Sequence, residues 1–244
     1  MLADSSTIGF ALIDGKSILG TLTDIKDPGM EWETRDHLFL GENLRHAALN
    51  GIGKCDIEQT GVFDDAVAGI HNALKTPSKG RVFAWAPFGN TTGKRVECAQ
   101  VDQVSYNDND IQGGEFVTAT AKYSATKHDS GLIIAHLAAR GAAGNTEATY
   151  VDCLDASTLG GVGYLELTAL TLGGYTDVVV KVRHSPDHAA WADLMTFTAK
   201  TVIGAERKTV ATNPIERYLA ISWAYTGAGA GPSCTLAVGF CRNV

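Results

Sequence analysis

The stretch "KCDIEQTGVFDDAVAGIHNALKTP", Lys54 to Pro77, changes its period in the middle. In the first half Cys55, Ile57 and Gln59 alternate with Lys54, Asp56 and Glu58, the period-two signature of a strand with one buried face. In the second half Phe63, Ala66, Val67, Ile70, Ala73 and Leu74 recur at three- and four-residue spacing, which predicts an amphipathic helix over about 63–75. Asp64 and Asp65 fall in its first turn and Lys75 in its last, which complements the helix dipole, and Pro77 stops it. A single amphipathic helix must bury its stripe against a sheet or barrel.

Outward from this stretch nearly everything reads as strand. "GFALIDGKSILGTLTDIKD" is a hairpin with its turn at Asp14–Lys16. "RVFAWAPF", "RVECAQVDQVSY" and "GEFVTATAKYSAT" follow the helix. The interruption is "PGMEWETRDHLFLGENLRHAALNGIG", polar but studded with Leu38, Phe39, Leu40 and Leu44, which reads as a long loop and a contact surface. The small, glycine-rich "ARGAAGNTEA", Ala139 to Ala148, reads as a linker. It would divide the chain into domains 1–145 and 146–244. The second domain holds seven runs, several of them separated by glycine-containing turns, with spacing near that of an immunoglobulin-like β-sandwich. The expected fold class is therefore mainly β: a barrel or sandwich with one flanking helix, then a second β-sandwich.

Composition narrows the function classes. The chain has 244 residues, 45% of them hydrophobic and 19% charged, a globular balance. Net charge is −7, and no segment has the basic patch of a tight nucleic-acid binder. Cys55, Cys98, Cys153, Cys234 and Cys241 are odd in number and lack CxxC spacing. They read as small buried hydrophobes of a protein assembled in a reducing compartment. The N-terminus has no basic and apolar leader pattern, and no apolar run is as long as a membrane span.

Motifs for chemistry are sparse. In "KVRHSPDHAAWADLMTF" His184, Asp187 and His188 lie close together, but Ser-Pro-Asp is a turn signal rather than a helix. The segment therefore reads as a polar connection between strands and not as a metal site. No GxSxG is present, and neither "GGVG" nor "GAGAGP" joins a strand to a helix as a phosphate loop must. We expect no catalytic residues, no metal and no cofactor, and a protein that is not an enzyme.

The early hairpin, the long loop and the phrase carried by Gly61, Phe63, Asp64 and Asp65 resemble the major tail tube proteins of long-tailed, siphovirus-like bacteriophages. "LNGIGKCDIEQTGVFDDAVAGIHNALK" holds most of the likeness. "GVGYLELTAL" and "ERYLAISWAYTGAGAGPSCTLAVGFCR" look like β-sandwich domains appended to phage structural proteins. The resemblance implies a homohexameric ring, stacked into a tube for genome delivery, with barrel sheets joined across subunits. It implies tape measure, tail terminator and baseplate proteins as partners, DNA passing without specific binding, and no membrane. It places the protein in the virion tail, assembled in the host cytoplasm. On that analogy Asp36, Leu38, Phe39, Leu40 and Leu44 stack rings, and Phe63, Val67, Ile70 and Leu74 pack the helix on the barrel. Asp56 and Glu58 would face the lumen, and domain 146–244 would decorate the outside. The alternative is a carbohydrate-binding or adhesive β-sandwich protein that contacts glycans through Trp191, Trp223 or Tyr225.

Overall fold

A computed structural model describes residues 8–19, 22–26, 31–37, 46–62, 70–110, 117–211 and 214–243. It is mainly β, as the alternation requires. Among the described residues the strands, numbered in chain order, form three antiparallel sheets, and two compact units divide the chain.

The first unit comprises residues 1–20, 81–100 and 129–244. It opens with β1 (Phe10–Ile13) and β2 (Lys16–Ser17), joined by Asp14 and Gly15 at φ 51° and 77°. Two consecutive positive φ values define the type I′ turn that an Asp-Gly pair favours. Asp14 anchors the turn: its Oδ2 accepts from Arg81 Nη1 at 2.7 Å and its Oδ1 from the Val82 amide at 3.0 Å. β1 pairs with β7 (Arg81–Ala86). The sheet then runs through β8 (Arg95–Asp110), β9 (Thr118–Arg140), β17 (Ser233–Arg242), β12 (Gly161–Thr171) and β15 (Gly204–Val210).

This sheet curls, so that β15 and β12 also approach β7 and β2. The roll encloses Phe10, Leu12, Ala84, Val96, Ile133, Val162 and Tyr164. Its other face packs on a second sheet in the order β10 (Gly144–Asn145), β16 (Tyr218–Thr226), β13 (Asp177–Ser185) and β14 (Ala192–Thr196). β11 (Val151–Asp152) also pairs with β16. Leu165, Leu167, Val180, Phe197, Ile221, Leu236 and Val238 fill the space between the sheets. β12 therefore has both faces covered, and Gly161–Leu167 is buried without a break. At Gly163 a Cβ would come within 2.7 Å of Met195 Sδ, so the sheets meet there because glycine has no side chain.

The second unit comprises residues 21–80 and 101–128. β6 (Asp56–Val62) pairs with β3 (Leu22–Lys26) and with the first part of β9. Cys55, Ile57 and Gln59 are buried as their alternation predicts. Tyr123 donates to Gln59 Oε1 at 3.1 Å and so satisfies the polar member of that row. A short helix, α1 (Ile70–Leu74), buries Leu74, whose carbonyl accepts from Gln103 Nε2 at 2.6 Å. His71 sits half-buried at the helix boundary, its Nδ1 at 2.9 Å from Tyr106 Oη.

Two expectations change. Within the expected long loop Pro28–Gly53, the described residues are strand: β4 (Glu31–His37) and β5 (His46–Lys54) pair antiparallel from Glu31↔Lys54 to His37↔His46 as a two-stranded sheet of their own. A ladder satisfies backbone groups whatever the apolar period, so its sequence need not alternate. The compact units are also not 1–145 and 146–244. β9 and β17 pair across that boundary, Phe240↔Leu132 through Cys234↔Arg140. The expected linker holds the end of β9 and β10, and the Thr146 hydroxyl accepts from the Ile221 amide at 3.0 Å.

Candidate functional site

The residues expected to stack rings start with Asp36, which lies in β4 opposite Ala47. Leu38, Phe39, Leu40 and Leu44 lie outside the described residues, as do Phe63 and Val67 of the expected helix stripe. Ile70 begins α1 and Leu74 is its buried end.

Asp56 is exposed, and Glu58 is half-buried beside it on the same face of β6. Lys122 stands directly opposite Glu58 in the ladder and pairs with it at 2.9 Å. That cross-strand position favours opposite charges. Asp56, Glu58 and Lys122 border a shallow cavity of about 370 Å³ together with Val104, which is 65% exposed. This face of the second unit is mixed in charge rather than uniformly negative.

The aromatic residues of the alternative reading divide. Trp223 and Tyr225 stand on the inward face of β16 and pack at the margin of the inter-sheet core. Trp223 Nε1 donates to the Ala142 carbonyl at 2.8 Å, and the Arg140 guanidinium lies 5.2 Å from the ring centre. Tyr225 packs on Tyr175 at 5.6 Å. Burial first, and then Cys234, raise its phenol pKa. Both rings are spent on the protein's own packing, which alternation along "RYLAISWAYTG" already indicates for Trp223.

Trp191 belongs to a cluster that the sequence did not reveal. Tyr150 stacks on His188 at 5.2 Å and meets Tyr218 edge-on at 5.0 Å, with Trp191 at 6.3 Å. Arg217 covers the Tyr218 ring at 5.0 Å and holds Asp152 through two bonds of 2.7 and 2.6 Å. That bidentate pair keeps the Asp152 carboxyl down at about 2. The rings come from three separate segments, around Tyr150, His188–Trp191 and Tyr218, so no local motif marks them.

The histidine-rich turn resolves into ordinary structure. The Ala190 and Ala189 amides and the Ser185 hydroxyl hold the Asp187 carboxyl at about 2, so Asp187 caps the turn. His184 Nδ1 accepts from the Glu216 amide at 3.2 Å, and burial lowers its pKa. His188 turns away at φ 52° onto Tyr150. Among the described residues no group of three His, Cys, Asp or Glu side chains is placed to hold a metal. No helix among them is long and apolar enough to cross a membrane. Cys55, Cys98, Cys234 and Cys241 are buried and Cys153 is half-buried, all as free thiols.

No protein-family model matches the chain, and no curated protein matches it. Among solved structures it is similar to the Dit protein of phage SPP1, described as a hub adsorption apparatus. That match has 7% identity and TM-score 0.39, and covers 96% of this chain and 99% of that one. A chain of the native gene transfer agent virion matches at 16% identity and TM-score 0.36, over 52% of this chain and 95% of that one. A chain of the phage p2 baseplate in its activated conformation matches at 7% identity and TM-score 0.32, over 93% and 97%. All three are remote likenesses.

Proposed function

We propose that this chain is a structural subunit of a bacteriophage tail, and that within the tail it forms the tube, as stacked homohexameric rings around a DNA conduit. The observation that carries this reading is the β4–β5 ribbon. It forms a sheet of its own, and neither strand pairs with another strand among the described residues. A two-stranded ribbon is marginal alone in water, and its open edges invite pairing with another chain. A subunit designed to assemble resolves both problems by covering the ribbon with a neighbour. The sequence resemblance to tail tube proteins supplies the geometry, and the absence of a basic patch suits a wall along which phosphates slide.

In this reading the tape measure, terminator and baseplate proteins contact the tube ends. Asp36 and the segment after it serve ring stacking, and Asp56 and Glu58 are candidates for the lumen. The chemistry is structural rather than catalytic. The test is light scattering and negative-stain electron microscopy of the purified chain across concentration and salt. Rings or tubes are expected. A chain that remains monomeric under every condition, with neither form in the images, overturns the proposal.

A further inference from the structure

In the first unit, the loop Cys153–Leu159, the end of β17 and the Ser130–Leu132 part of β9 enclose a cavity of about 910 Å³. Its apolar wall is Leu132, Leu159 and Phe240, and its polar wall includes Arg95, Asp155 and Arg242. The loop is held in place from the chain's end. Asn243 Nδ2 donates to the Leu159 carbonyl at 2.8 Å, and the Asn243 amide donates to the Gly160 carbonyl at 3.0 Å. Ser157 Oγ donates to the Asn243 carbonyl at 3.2 Å. Leu159 is nevertheless 57% exposed, and Leu154 on the same loop is 72% exposed. Large apolar side chains held rigidly in solvent beside a preformed cavity mark a binding surface.

The charges in the cavity identify what fits. Arg95 is already engaged, its Nε at 2.5 Å from Glu97 Oε1 and 3.0 Å from Ser130 Oγ. Asp155 adds its field to that of Asp152 at Arg217. Arg242 is different: it is half-buried, and its Nη1 donates only to the Cys153 carbonyl at 3.3 Å. Its Nε is enclosed without an acceptor, and it has no carboxylate partner among the described residues. A half-buried guanidinium without a counter-ion is electrostatically costly, and an incoming carboxylate offsets that cost. The cavity therefore suits a segment with several large apolar groups and one carboxylate.

We propose that it receives the segment between β4 and β5, residues 38–45, from a second copy of this chain. Leu38, Phe39 and Leu40 would lie against Leu132, Leu159 and Phe240, and the Glu42 carboxylate would bind Arg242. The proposal rests on the self-assembling reading above and names the partner surface for it. The sequence "LFLGE", residues 38–42, matches the cavity group for group, three large apolar side chains followed by one acid. On a chain of net charge −7, an arginine with no carboxylate partner among the described residues is a selective attractor for that acid.

The test uses a fluorescent peptide of residues 37–46, "HLFLGENLRH", titrated into the full chain and followed by anisotropy. Saturable binding is expected, weakened roughly tenfold or more by Arg242→Glu in the protein or by Glu42→Arg in the peptide. Combining the two reversals should recover most of the loss, and Leu159→Asp should weaken binding independently. Circular dichroism melts of each variant report that it is folded. Absence of saturable binding, or binding indifferent to Arg242→Glu and Leu159→Asp in folded variants, overturns the docking proposal. If rings or tubes still form, that failure leaves the tail-subunit reading standing. Peptide binding by a chain that never assembles sinks the tail-subunit reading instead.

Discussion

Gly15 and Glu166 are 151 residues apart, yet the Gly15 amide donates to Glu166 Oε2 at 2.6 Å inside the first unit. Glu166 is 1% exposed, and its Oε1 is enclosed without a hydrogen-bond partner among the described residues. The bond ties the β1–β2 turn to the middle of β12. Burial raises the Glu166 pKa well above the ordinary carboxylate range, the Gly15 amide opposes the shift, and the nearby Asp14 adds to it.

That environment sets a pH dependence. Because the folded pKa is raised, Glu166 contributes stability that is fully present below its ordinary value of about 4.3. The contribution fades as pH rises through the folded value. Glu166→Gln keeps an acceptor for Gly15 and removes the titration. Melting temperatures from pH 4 to 9 should converge at acid pH and favour the variant increasingly at neutral and alkaline pH. Parallel curves for the two proteins would refute this assignment.

Gly15→Ala tests the other end of the bond. The residue sits at φ 77°, and a Cβ there would lie 2.4 Å from the Leu167 carbonyl oxygen. Both the left-handed conformation and the backbone contact oppose a side chain, so the variant should lose at least about 1–3 kcal/mol. The urea midpoint measures it. An unchanged midpoint would mean that the turn does not seat against β12.

The Asp152–Arg217 pair makes a site-specific prediction. The Asp152 carboxyl should titrate at about 2 in the native protein. In Arg217→Ala it should titrate near the usual value of about 4. A depressed pKa stabilises the fold above the unfolded value, and this support is lost as pH falls toward 2. Carboxyl NMR titration decides the matter, and a midpoint indifferent to Arg217→Ala would show that the guanidinium is not the cause.

Cutting the chain at residue 145 should abolish folding of the C-terminal piece. Residues 146–244 contain β12 and β17 but lack Ile133, Ile134 and Ala135 of β9, which are all buried beside them. We expect no cooperative thermal transition from that fragment. A sharp native-like melt would instead establish 146–244 as a domain in its own right.

His188 occupies positive φ, stacks on Tyr150 and meets Tyr218 edge-on. His188→Asn keeps a residue that accepts this backbone conformation and loses only ring contacts, about 0.5–1.5 kcal/mol. His188→Val should cost clearly more, because β-branching is strongly disfavoured there. Chemical denaturation of the two variants checks the order, and equal costs would contradict it.

Much of the architecture was legible because pleating imposes period two. The runs "GYLELTAL", "DVVVKVRH" and "CTLAVGFCR" lie within β12, β13 and β17, and "DGK" names its turn. β9 was less legible. It runs 23 residues, and its later half, "TKHDSGLIIAHLAAR", has polar and glycine interruptions that break any local period. The β4–β5 ladder was read as a loop because backbone pairing leaves no mark in side-chain hydrophobicity. The turn between His184 and His188 was legible early, since Ser-Pro-Asp favours one.

The sequence by itself determined the mainly-β class, the buried row of Cys55, Ile57 and Gln59, and the Asp-Gly hairpin. These follow from short-range chemistry, in which a residue's neighbours set its backbone and its face. Tertiary structure alone decided that β9 and β17 unite the two sequence halves, that three segments gather the Tyr150–His188–Tyr218 cluster, and that Arg242 meets no carboxylate among the described residues. Each of these depends on which distant strands pair and which charges meet. Local propensity holds no record of either, because the energy of pairing and of ion contact belongs to groups brought together only by the finished fold.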